Sequence, residues 1–92
     1  MYLRLVQFSS PDRSAAEALA SELVPSIRSR SGCRECMFFA DFDAGDYGLA
    51  VVWESQEAAD AAAAEMGPVL MKGVQEAKGA VASRRLFEIY EP

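Results

Sequence analysis

Histidine is absent from the 92 residues, and the nine basic residues are outnumbered by fourteen acidic ones. The formal net charge is −5. An acidic surface repels a phosphate backbone, which excludes nucleic acid as an expected partner. No basic cluster marks an anionic membrane surface. No apolar run reaches the ~18 residues that a bilayer span requires. The opening stretch, MYLRLVQFSSPD, has no charged leader followed by a long apolar core and a small-residue cleavage site. It reads as structure, not as a signal peptide, and the expected location is the cytoplasm.

Cysteine is scarce too. Cys33 and Cys36 form a lone C-x-x-C, which has three readings: a redox pair, half of a zinc site, or coincidence. Redox pairs of this kind open a helix after a strand, whereas this one stands at the entrance to a strand. Residues three apart on a regular strand point to opposite faces, and a zinc site would need two ligands from a second subunit. No metal is therefore expected. The DFDAGD loop carries three aspartates, but a calcium loop of the EF-hand type is longer, and the chain beyond reads as strand. It is read as a solvated hairpin turn.

What is present is ordinary for a globular chain: half the residues are apolar and a quarter are charged. The length implies a single domain over residues 1–92. So short a chain buries only about 60–65% of its unfolded surface. Its own core is marginal.

Residues 2–8 read as a strand, with Leu3, Leu5 and Gln7 on one face and Tyr2, Arg4, Val6 and Phe8 on the other. Residues 12–30 read as a helix capped by Ser10 or Asp12, with Leu19, Leu23 and Ile27 as its buried stripe. Pro25 predicts a kink or two shorter helices, and Gly32 closes the segment. Residues 34–42 and 47–54 read as two strands of a hairpin. Ser55 caps an alanine-rich helix that Gly67 and Pro68 are expected to interrupt. Residues 81–90 read as a last strand. The order specifies an α+β, ferredoxin-like βαββαβ fold: a four-stranded antiparallel sheet with both helices on one face.

The third strand is apolar on both sides. Tyr47, Leu49, Val51 and Trp53 alternate with Gly48, Ala50 and Val52, so cover is needed on both. No remaining segment is long enough to supply it. At ~25 cal/mol per Å2, several hundred Å2 of apolar face in water would forfeit many kcal/mol, comparable to the stability of a small domain. A second copy of the sheet would solve this, and a homodimer is expected.

The string VVWES, with the strand order, VQFSSPD, SGC and SRRLFEIY, resembles the antibiotic biosynthesis monooxygenase family along nearly the whole chain. The resemblance implies a dimeric α/β barrel. It implies a cavity between sheet and helices, lined by a tryptophan at the end of the third strand, a position that Trp53 matches. Active members often carry an asparagine on the first strand; Leu5 and Gln7 stand in that neighbourhood here. A haem-degrading relative needs a histidine, which is missing. The implied chemistry is cofactor-free oxidation of an electron-rich aromatic, quinol- or anthrone-like, by O2.

That chemistry requires a pocket that holds a ring, stabilises an anion and excludes water. The resemblance offers Trp53, Tyr47, Gln7 and Arg85 as catalytic candidates, with Arg84 as the alternative arginine. Trp53, Tyr47, Leu5, Val51 and Phe38 are the candidates for substrate binding. Each has a plainer reading: Trp53 as core filler, Tyr47 as a rim residue, Gln7 as a solvated strand end, the arginine as a surface charge. Function then divides between a cofactor-independent monooxygenase, a ligand binder without turnover, and a structural protein whose interior is filled.

Overall fold

A computed structural model covers all 92 residues. The elements are β1 (Tyr2–Ser9), α1 (Arg13–Arg28), β2 (Cys33–Asp41), β3 (Asp46–Trp53), α2 (Gln56–Glu76) and β4 (Ala80–Glu88). The four strands form one antiparallel sheet in the order β2-β3-β1-β4. This is the expected ferredoxin-like arrangement, with β1 and β3 at the centre.

Alternation decides what each face carries. Val6 and Phe8 of β1 stand opposite Leu49 and Tyr47 of β3. These four, with Cys36, Val51 and Trp53, join Leu19, Leu23 and Ile27 of α1 and Leu70 and Val74 of α2 in a single buried cluster. Both helices therefore cover the same face. On the other face, Met37 is 44% and Phe39 39% exposed, while Leu3, Leu5, Ala50, Val52 and Phe87 are half-buried. The Phe39 ring lies over Gly48, where a Cβ would collide with it.

The helices start where short polar side chains satisfy their free amides. Asp12 caps α1 by accepting from the Ala15 amide at 3.0 Å, and Ser55 caps α2 by accepting from the Ala58 amide at 3.1 Å. Ser10 takes a different role. Its buried hydroxyl donates to the Ala77 carbonyl at 2.6 Å, tying the end of β1 to the exit of α2.

Three expectations are corrected. Pro25 does not divide α1, nor do Gly67 and Pro68 interrupt α2; each helix runs unbroken. A proline frees the carbonyl four residues earlier. Those residues, Ser21 and Ala64, are exposed, so water satisfies what the helix loses. The third correction concerns the cysteines. The pairing of β2 with β3 shifts between Cys33 and Glu35, so Cys33 stands beside Trp53 and Cys36 beside Val51. A β-bulge absorbs the extra residue, and both thiols face the helices instead of opposite sides.

Candidate functional site

Between the sheet and the helices is a cavity of about 340 Å3. Its floor is Val6, Leu49, Val51 and Trp53, and Leu23 and Ile27 of α1 close one side. The wall from α2 is made of small residues, Ala59, Ala62, Ala63 and Gly67, with Met66 and Leu70. This is why the space exists. Alanine and glycine reach less far toward the sheet than larger side chains would, and Trp53, 3% exposed as a residue, packs into the core cluster with an edge on the cavity.

Two charged residues enter this apolar lining, Arg4 from β1 and Arg84 from β4. They are on neighbouring strands on the helix-side face, since Arg4 stands beside Val51 and Leu86, and Arg84 beside Val6. Arg4 donates from Nη2 to Asp60 Oδ1 at 3.4 Å, and its side chain is 21% exposed. Its Nε is buried and meets no protein acceptor. Arg84 leans toward α2: its Nη1 lies 3.9 Å from where a Cβ on Gly67 would be. No carboxylate lines the cavity.

The sequence candidates separate into three groups. Trp53 and Val51 line the cavity. Tyr47 and Phe38 share its face but not its place. Tyr47 is six residues from Trp53 along β3, roughly 20 Å at strand rise. There it stacks on Phe8 and Phe38 with ring centroids 5.5 and 5.9 Å apart, with Phe42 edge-on at 5.9 Å. This packed aromatic cluster closes the far end of the core. Leu5, Gln7 and Arg85 are on the opposite face altogether. Leu5 pairs with Ala50 and Arg85, and Gln7 with Gly48 and Ser83. The Ser83 hydroxyl donates to Gln7 Oε1 at 3.3 Å, and the Arg85 guanidinium lies over Phe87, 4.5 Å from its ring centroid. Of the two adjacent arginines on β4, the one in the cavity is Arg84, not Arg85.

Arg4 and the small-residue wall are the features that a reading of the sequence misses. Arg4 shares parity with Val6 and Phe8, but Leu3 and Leu5 make the alternate set equally apolar, so neither set announces itself as interior. The alanines declare helix propensity and say nothing about what they face.

The cysteines stand beside the cavity floor but outside its lining. Burial pushes the Cys36 thiol up to about 11, with the nearby Cys33 adding to the shift and Arg28 opposing it. Burial likewise raises Cys33. Both are free thiols, and a raised value keeps a thiol protonated and unreactive. No group of three or more His, Cys, Asp or Glu side chains converges to hold a metal.

Known structures share this architecture. A proposed antibiotic biosynthesis monooxygenase from Deinococcus radiodurans superposes with a TM-score of 0.84 over 100% of this chain and 95% of its own, at 16% identity. SnoaB, a cofactor-independent oxygenase from Streptomyces nogalater, superposes with a TM-score of 0.80 over 99% of this chain and 94% of its own, at 14% identity. This chain has the antibiotic biosynthesis monooxygenase fold. A Mycobacterium tuberculosis protein shows the same fold at 19% identity, covering 100% of this chain and 98% of its own with a TM-score of 0.71. No family model matches the sequence, and no curated protein matches it. At such low identities the monooxygenase fold carries the likeness, and individual residues do not. No helix is long and apolar enough to cross a membrane.

Proposed function

We propose that the chain is a single-domain, cytoplasmic, homodimeric α/β barrel protein that binds an aromatic small molecule beside Trp53. We further propose that it oxidises a quinol- or anthrone-like substrate with O2 and no cofactor. The observation that carries this reading is the cavity of about 340 Å3, apolar except for two arginines. That volume lies within the ~300–1,000 Å3 range of small-molecule sites. SnoaB, a cofactor-independent oxygenase, shares the fold. The uncovered sheet face, with Met37 and Phe39 exposed, supports the dimer.

In the proposed reaction a ring CH2 loses a proton, and the carbanion passes one electron to O2. The resulting radical and superoxide combine into a peroxide anion, which takes back the released proton to become a hydroperoxide and then expels water to leave a carbonyl. One oxygen atom enters the product and the other leaves as water. Trp53 supplies a flat apolar surface for the ring, and Arg84 stabilises the anion that forms. The apolar walls from α1 and α2 limit the water around the reacting carbon.

Oxygen consumption with anthrone as substrate tests the activity, comparing the native chain with Trp53→Phe. Protein-dependent uptake that falls in the variant supports it; uptake no faster than in buffer removes the oxygenase reading. A second reading, ligand binding without turnover, is favoured by one observation. Gln7 and Arg85, two polar groups proposed for catalysis, face away from the cavity. Calorimetric binding without oxygen uptake selects it.

A further inference from the structure

We infer that Arg4 is the specificity-determining residue of the cavity and that the ligand carries a carboxylate, set directly on its aromatic ring system. The inference rests on the reading that this cavity holds an aromatic ligand.

The first observation is a charge imbalance. The chain is acidic overall, at −5, yet the cavity lining contains two arginines and no acid. Arg84 forms no ion pair with any carboxylate. The only acid engaging Arg4 is Asp60, itself 59% exposed, at the long distance of 3.4 Å through Nη2 alone. A cavity that needed only to accept hydrocarbon would gain nothing from a half-buried, weakly paired Arg4, because an under-paired charge in an apolar wall is costly.

The second observation is an unmet donor. Arg4 Nε is the one buried side-chain nitrogen or oxygen in the chain that lacks a hydrogen-bond partner. A guanidinium presents its donors as a planar fork, and a carboxylate is the planar acceptor that matches it with two parallel bonds. Asp60 engages Nη2 alone, and Nε, closed to solvent in the unliganded chain, meets a ligand oxygen once the Arg4 side chain turns toward it. Arg4 is also the less exposed of the two arginines, so solvent screens it less and an anion gains more there.

The third observation fixes the spacing. Trp53 pairs with Tyr2, two residues from Arg4 on the adjacent strand. Such diagonal neighbours have backbones roughly 7–8 Å apart. Backbones this close let one ligand place its ring against the indole and a carboxylate carried directly on that ring at Arg4.

Isothermal titration calorimetry with 1-naphthoate, its neutral isostere 1-naphthamide, and 1-naphthol tests this. The native chain is expected to bind naphthoate at least tenfold more tightly than naphthamide or naphthol. Arg4→Gln should abolish that preference, and a thermal unfolding transition like the native chain's shows that the variant is folded. Asp60→Asn should tighten naphthoate binding by removing a competing carboxylate. Equal binding of the three probes overturns the inference and leaves the cavity reading standing, as does a preference for naphthol. A preference that survives Arg4→Gln but disappears in Arg84→Gln overturns the assignment to Arg4. Binding of none of the probes overturns both the inference and the reading beneath it.

Discussion

The two faces of the sheet come from the same four strands and solve opposite problems. On the helix side, Val6, Leu49, Val51 and Trp53 are almost fully buried by α1 and α2, yet they enclose an opening. On the far side, Met37 and Phe39 remain exposed and no element of the chain covers them. Apolar content alone cannot tell these faces apart. What distinguishes them is the size of the side chains arriving from the opposing layer: small ones along α2 on one face, none on the other. The covered face has spare volume, and the uncovered face has spare area. Volume suits a small molecule, and area suits another protein surface.

The sharpest way to break this contrast is to charge the open face. Val52→Asp should dissociate the proposed dimer, weakening it at least a hundredfold. Burying one unpaired carboxylate costs roughly 3 kcal/mol or more, and each 1.4 kcal/mol or so is about tenfold. Analytical ultracentrifugation reads the result, and a variant that sediments like the native chain would assign that face no role in assembly. On the covered face the same kind of probe should act on folding instead. Phe8→Ala removes a ring that is 2% exposed and should destabilise the chain by about 3–5 kcal/mol in a denaturant titration.

Ala62→Leu sharpens the comparison differently. Ala62 is buried and lines the cavity, so added carbons occupy the space a ligand would use. Ligand affinity should fall at least tenfold, with stability altered by no more than about 1–3 kcal/mol. A leucine there that left binding intact would separate the cavity from the binding site. Gly67→Ala should be milder still. A Cβ at that position meets nothing closer than Arg84 at 3.9 Å, and replacing a helix-interior glycine should stabilise by about 0.5–1 kcal/mol.

The smallest effect is expected at high pH. The folded chain holds the Cys36 thiol near 11, against 9.0 for the unperturbed group. Below 9 both folded and unfolded chains keep the proton, so Cys36 adds no pH dependence. Between 9 and 11 the unfolded chain releases a proton that the folded chain keeps, so stability should decline as pH rises through that window. Melting curves across it should flatten in Cys36→Ala. An equal slope in both would locate the decline elsewhere.

Much of the architecture is legible in the residues. Leu19, Leu23 and Ile27 recur at helical spacing, and Ser55 announces α2. The DAGD turn separates two strands that do pair as a hairpin. The proline-bearing helices were misleading because the cost of a proline depends on whether its freed carbonyl reaches water, and exposure is a tertiary property. C-x-x-C misled because strand parity assumes regular pairing, and the bulge before Glu35 breaks it. For the site, parity correctly joined Trp53 with Val51. It also joined Tyr47, since alternation identifies a face and carries no distance along it.

The sequence by itself determined the order of the elements, the cap of α2 and the excess of apolar surface, because each follows from local chemistry or simple periodicity. Only the tertiary structure decided that Arg84 and not Arg85 lines the cavity, that Gln7 turns away from it, and that Arg4 carries an unmet donor. Those outcomes depend on strand register and on which face the helices choose. A shift of one residue exchanges every side chain between the two sides, so composition along one strand cannot fix them.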